Sequence, residues 1–310
     1  MSAAAVLEAT PTSARTPRGL IHTVLRLHRG ALWIWLAFVT ATAGFLLWLL
    51  GPGAEAAQQK LAVYGYAGLI MSDGPATEYN DLFYYPGTLL TVASFAVALF
   101  AGGPLIAREL ESGTAQLAWT QSVSPARWLA TALAVPAAFI LLGTTLLTVL
   151  YHQLWAAHSE LLIAGIGPRS LYFSLGPATV AAPLLGLALG ALIGLTARRT
   201  LPALAFSGFA YFLVYAFRGN HWPFQGRYQQ PELSSRSRAV TSAGTEIRDP
   251  GCYDDRACLA KHDVVRFTRE YLPSSDYWPR QLLETGVLLA LTAVAVALAF
   301  GLLRRRAAIG

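Results

Sequence analysis

The chain has 310 residues, 55% of them apolar and only 13% charged, a balance that excludes a soluble domain of mixed surface and indicates an integral membrane protein. The formal net charge of +6 does not point to nucleic acid, because the arginines stand at the ends of apolar runs instead of lining one basic face.

Residues 1–16 are small, polar and unpatterned and read as a mobile tail. From Arg18 to Arg29 the pattern changes: Leu20, Ile21, Val24 and Leu25 form an apolar stripe while Arg18, His22, Arg26 and Arg29 face elsewhere. This suits an amphipathic helix in the membrane surface, with a water-exposed juxtamembrane helix as the plainer alternative. Residues 1–30 thus form a first unit.

Ala31 to Leu50 is uncharged and about as long as a helix crossing ~30 Å of hydrocarbon. Its basic flank and Ala54-Glu55-Ala56 imitate a signal peptide, but the leader and the apolar run are both too long for one. A polar segment follows, closed by an aromatic boundary at Tyr84, Tyr85 and Pro86. The second span runs from about Gly87 to Ala107.

It delivers a short polar stretch, residues 108–127, lying between two apolar runs. Here Leu110, Thr114, Leu117 and Gln121 recur at helical spacing, and Glu109, Glu111 and Gln116 fall on other faces, as in a short helix docked along one side. We read it as a handle that a partner protein pushes. Ser124 is placed to cap the next helix, and Pro125 supplies its preset first turn. Span three covers roughly Trp128 to Tyr151, with a kink expected at Pro136. Span four covers Gly176 to Ala197 and ends at Arg198-Arg199. Span five covers Leu201 to Phe217, completing a unit of five spans over 31–217.

Residues 218–279 are polar; 231–250 look flexible, and Val264, Val265, Thr268 and Tyr271 suggest a short helix. Span six runs from about Gln281 to Leu303 before Arg304-Arg305-Arg306, so that 280–310 is the last unit. The fold class expected is an all-α integral membrane protein with six transmembrane helices. With six spans, the arginine clusters, both termini and the handle fall on one side, which the positive-inside rule makes cytoplasmic. The large 218–279 segment is then external, in a multi-pass protein of the cell membrane.

That side is oxidising, so Cys252 and Cys258, the two cysteines of the chain, are expected to form a small disulfide loop. Asp254, Asp255, His262 and Asp263 raise a metal alternative, but their spacing matches no usual zinc pattern, and no metal is expected. Gly186, Gly190 and Gly194 make a double G-x-x-x-G, suited either to helix packing within the subunit or to a dimer seam. Glu284 sits one turn inside span six, where a lone charge is costly. Arg280, four residues back, is its expected partner; the pair reads as structural or as an outer gate. His152 and His221 stand alone near boundaries, and nothing resembles a catalytic set.

Two of the 23 basic residues are lysines, Lys60 and Lys261. Neither stands in G-x-x-x-x-G-K-[ST]. The chain therefore has no P-loop, and ATP-driven work would require another subunit.

Arg108-Glu109-x-Glu111-x-Gly113-Thr114 with Leu117 and Thr120, then Ser124-Pro125-x-Arg127, resembles the permease subunits of ATP-binding cassette transporters of the type-two, six-helix exporter family. Leu25-Arg26-Leu27-His28-Arg29 before span one and Tyr277-Trp278 before Gln281 and Glu284 are similar to that family's edges. The external segment is longer and more polar than in many relatives. The resemblance implies an exporting permease, with import as a further alternative; the apolar, aromatic and small residues of the spans suit a hydrophobic or amphipathic compound, and without ATPase motifs the chain is not itself an enzyme. It implies two permeases, identical or related, with two cytoplasmic ATPase subunits that hold ATP and Mg; this chain binds no cofactor. The handle becomes a coupling helix, with Leu110, Thr114, Leu117 and Trp119 as its docking face and Arg108, Glu109 and Glu111 setting its orientation. A non-transporting interaction protein, such as an immunity or sensory anchor, is the alternative.

Overall fold

The computed structural model describes residues 22, 24–64, 75–120, 123–158, 161, 173–220, 237–251, 255–269 and 274–307. The N-terminal tail, Gln121, His221, Cys252 and Asp254 lie outside the described residues. Among the described residues six helices are long and apolar enough to cross a membrane, in agreement with the six apolar runs, and the protein is an all-α integral membrane protein with a small sheet in its polar segment.

Helix α1 (Arg29–Trp48) continues through a π-helical turn, Leu49–Gly53, into α2 (Ala54–Tyr64). Pro52 lies in that turn and has no N–H to give a preceding carbonyl. Two carbonyls of the turn are taken from outside the helix: Leu49 O accepts from Tyr79 Oη at 3.0 Å, and Leu50 O meets His158 Nε2 at 2.9 Å. Helix α3 (Pro75–Ala96) passes through a second π-helical turn, Val97–Gly102, into α4 (Gly103–Glu111). Next come the short α5 (Thr114–Thr120) and α6 (Pro125–His158), which holds Pro136. Helices α7 (Ala178–Ala197) and α8 (Thr200–Asn220) follow. Helix α6 has 34 residues, about 51 Å at 1.5 Å per residue, so it extends past the ~30 Å hydrocarbon core.

The polar segment departs from expectation. The stretch read as flexible holds β1 (Ser237–Thr241) and β2 (Glu246–Arg248), and the stretch read as a helix is β3 (Val264–Arg269). The sheet is antiparallel in the order β2-β1-β3. Val264, Val265, Phe267 and Thr268 are β-branched or aromatic and favour a pleated strand; the apparent helical spacing was carried by only four positions. Gly244, with φ +77°, makes the β1–β2 turn, and Asp263 accepts from Ser242. Between them α9 (Arg256–Lys261) is capped by Asp255, whose Oδ1 accepts from Ala257 N at 2.9 Å and Cys258 N at 3.2 Å.

The last helix, α10 (Ser274–Ala307), buries Gln281, Glu284, Leu288, Ala295, Ala299 and Leu303. These positions fall on one face, separated by three, four or seven residues. Helix α7 is the most enclosed of the six spans; α3, α4, α6, α8 and α10 all touch it.

Candidate functional site

The handle is two helical pieces and not one. Helix α4 ends at Glu111, and Gly113 takes φ +74°, a conformation open to glycine and strained for a residue with a Cβ. Ser112 N donates to Arg108 O at 2.9 Å and Gly113 N to Leu110 O at 3.4 Å, closing the end of α4. Thr114 Oγ1 donates to Glu109 O at 3.1 Å and starts α5. As the sequence indicated, Ser124 caps α6, accepting from Arg127 N at 3.4 Å.

Two carboxylates fix the handle to its surroundings. Glu109 accepts from Trp128 Nε1 at 2.6 Å and pairs with His28 Nε2 at 3.5 Å, tying the handle to the entries of both α6 and α1. Glu111 Oε2 accepts from Thr200 N at 2.9 Å and Thr200 Oγ1 at 2.6 Å. An anion there also meets the positive end of the α8 dipole. The break at Gly113 divides the expected docking face. Leu110 and Trp119 are half-buried against the subunit's own core, with Trp119 edge-on to Trp128 at 5.7 Å between centroids. Arg108, Glu111, Thr114 and Leu117 are exposed, Leu117 at 58%.

At the root of the handle lies the glycine triad. A Cβ on Gly190 would stand 2.6 Å from Gly102 Cα, and one on Gly194 2.5 Å from Gly103 O. On Gly186 it would come within 3.1 Å of Ala98 Cβ. All three glycines thus face the subunit's own second span and serve close packing within the chain.

The end of the helices remote from the handle, the far end, carries the second polar cluster. Glu284 is buried, and its Oε1 accepts from Arg218 Nε at 2.6 Å. The partner is therefore Arg218 of α8, not Arg280: Glu284 belongs to the buried stripe of α10, whereas Arg280 is half-buried at its margin. Gln281 Oε1 accepts from Ala178 N at 3.3 Å, serving an orphan donor of the first turn of α7. The Arg218 guanidinium lies 5.2 Å from the centre of the Phe173 ring. It lines a cavity of about 600 Å³ between α3, α6, α7 and α8, which Thr91, Ser94, Tyr151, Tyr211 and Tyr215 also face. Cys258 is disulfide-bonded; its expected partner, Cys252, lies outside the described residues. Among the described residues no group of three or more His, Cys, Asp or Glu side chains is placed to hold a metal.

A family model described as ABC-2 membrane transporter related matches residues 36–219. The chain belongs to that family. No curated protein and no solved structure matches it. As an ABC-2 permease it is a membrane component of an ABC transporter, and such permeases work with a separate ATP-binding subunit. The matched residues of the permease include the handle, the glycine triad and Arg218, and stop before Glu284. Sequence reasoning missed Arg218 as a site residue by placing it at the start of the polar segment. The signal was available: an arginine one residue beyond an apolar run is close enough to pair with a carboxylate one turn inside the next span.

Proposed function

We propose that the permease exports a hydrophobic or amphipathic compound, driven by a cytoplasmic ATPase subunit that docks on the exposed side of the handle. Supporting this reading above all is the contrast between the two sides of the handle. Inward, Glu109, Glu111, Leu110 and Trp119 fasten it to the entries of α1, α6 and α8. Outward, Leu117, Thr114 and Arg108 project with Leu117 as an exposed apolar tip. A lever needs both properties, rigid attachment to what it moves and a free surface on which to be pushed.

In this mechanism two copies of the permease, or this chain and a related one, face two ATPases carrying ATP and Mg. ATP binding closes the ATPases, and the displacement passes from α5 into α4 and α6. It shifts the spans only if the ATP-bound ATPase binds one permease conformation more tightly than the other. The cavity beside Arg218 offers hydroxyls and aromatic rings to cargo, and the Arg218–Glu284 pair acts as a latch near its external end. Both termini and the handle lie in the cytoplasm in this reading, and residues 218–279 lie outside the cell membrane.

The test is co-purification with the ATPase encoded nearest to this chain, followed by ATP hydrolysis in lipid nanodiscs. We expect a stable complex that Leu117→Glu disrupts while the permease still folds. A Leu117→Glu complex that forms and transports normally refutes the docking face, and failure of the wild-type chain to bind the ATPase refutes that partnership.

A further inference from the structure

A second cavity, of about 520 Å³, lies between α6, the start of α7 and α10. Among the described residues it shares no lining residue with the cavity beside Arg218. One side is open, since Leu141, Val149, Trp278 and Leu289 on its wall are all exposed. In a membrane that side faces lipid.

The wall is graded along the membrane normal. His152, Gln153 and Trp278 stand at the far end, with Thr148 one turn deeper on α6; Leu141, Leu184 and Leu289 close the other end. From Leu141 to His152 along α6, and from Leu289 to Trp278 along α10, the rise is about 16 Å. That is close to half of the ~30 Å hydrocarbon core. His152 stands about 37 Å along α6 from Arg127, beyond the core, at the level where aromatic residues such as Trp278 meet headgroups. The groove is therefore one leaflet deep, apolar below and polar above.

Two of its polar atoms have no use among the described residues. Thr148 Oγ1 and His152 Nδ1 are buried with no hydrogen-bond partner among the described residues. They lie four residues apart on one face of α6. The ring of His152 is held beside Trp278, 6.2 Å between centroids. Buried polar groups are rarely left unpaired, and here both point to a ligand carrying oxygen acceptors at or just below headgroup level.

We propose that this groove holds one acyl chain of a phosphoglycerolipid from the far-end leaflet, with the lipid's ester and phosphate oxygens accepting hydrogen bonds from Thr148 Oγ1 and His152 Nδ1. By the positive-inside reading this is the outer leaflet. The lipid fills the seam between α6 and α10 and adds to the contact that His152 and Trp278 make across it. The site is independent of the identity of the exported compound and of ATPase docking.

The full chain, with any ATPase that accompanies it, is purified in a mild detergent, washed extensively and examined by native mass spectrometry. We expect one retained phospholipid per permease, and at least a tenfold loss of retained phospholipid in the double variant Thr148→Val, His152→Leu. Equal retention in wild type and variant, or a retained mass that is not a phospholipid, overturns the proposal. A second measurement uses only the wild-type protein, in nanodiscs containing a phosphatidylglycerol with a photoreactive diazirine near its chain end. Cross-links concentrated on Leu141, Leu184 and Leu289 support the site, and their absence there overturns it.

Discussion

The pair Arg218–Glu284 should matter more when half-removed than when removed altogether. The ions approach to 2.6 Å, with Glu284 2% and Arg218 12% exposed. At an effective dielectric of about 20 their attraction is about 6 kcal/mol. Withdrawing them from water costs several kcal/mol per ion, so attraction and desolvation nearly cancel and the intact pair contributes little net stability. Glu284→Gln or Arg218→Met alone leaves one buried ion uncompensated, at a cost of about 3–5 kcal/mol. Arg218→Met is expected at the upper end, because Glu284 has the less water to turn to. The double variant Arg218→Met, Glu284→Met should return to within about 1 kcal/mol of wild type. The assay is equilibrium unfolding of the purified permease in mixed micelles of mild detergent and SDS. If the double variant loses the sum of the two single losses, the residues are not energetically coupled and the reasoning fails. Transport in proteoliposomes separates the roles: a double variant that folds normally but leaks or stalls assigns the pair to gating, and one that transports normally confines it to structure.

Gly190→Ala should destabilise the permease by about 1–3 kcal/mol, as overpacking does, because the new methyl would meet backbone at 2.6 Å; an unchanged unfolding midpoint refutes the close seam. Glu109→Leu removes the acceptor of Trp128 Nε1 at 2.6 Å and should cost about 1.5–3 kcal/mol, the range for hydrogen bonds to charged groups. It should also lower ATP-coupled transport more than it lowers ATPase binding; equal losses of the two would place Glu109 in the docking surface itself. Cys258→Ser, which deletes the disulfide, should expose the sheet segment to limited proteolysis at an unchanged unfolding midpoint of the spans. Protection equal to wild type would show that the sheet holds without the cross-link.

The spans were legible because one physical requirement, covering hydrocarbon with uncharged residues, governs every position of a run. Ser124 was legible as a cap for a similar reason, since the cap and Pro125 act on their immediate neighbours. Features set by contact between distant segments were not. Spacing along one helix matches Glu284 to Arg280, while the geometry that decides the pairing brings in Arg218, 66 residues away. In the handle, the helical spacing of Leu110, Thr114, Leu117 and Gln121 continues across Gly113 and suggests one helix; the left-handed turn there rotates α5 out of register with α4, which is why Leu110 and Leu117 part company. In β3, Val264 and Val265 side by side with Phe267 and Thr268 fit a strand better than a helix face, and their preference should have outweighed the spacing.

The two polar clusters meet on the same element. At the handle end, Gly190 and Gly194 of α7 lie against Gly102 and Gly103, where the second π-helical turn passes into α4. At the other, the first turn of α7 is held by Gln281 of α10, one turn from Glu284. Helix α7 is short, enclosed and packed through backbone, so a push on α4 has little room to be absorbed at the glycine seam. Either α7 moves with the handle, carrying Ala178 and therefore α10, or α4 slides along the glycine face and opens the cavity bounded by α3 and α8. A cysteine pair placed across the seam at Ala98 and Gly186 distinguishes these. Cross-linking that spares ATP-dependent transport fits α7 moving as one body with the second span, whereas cross-linking that abolishes transport requires sliding at the seam.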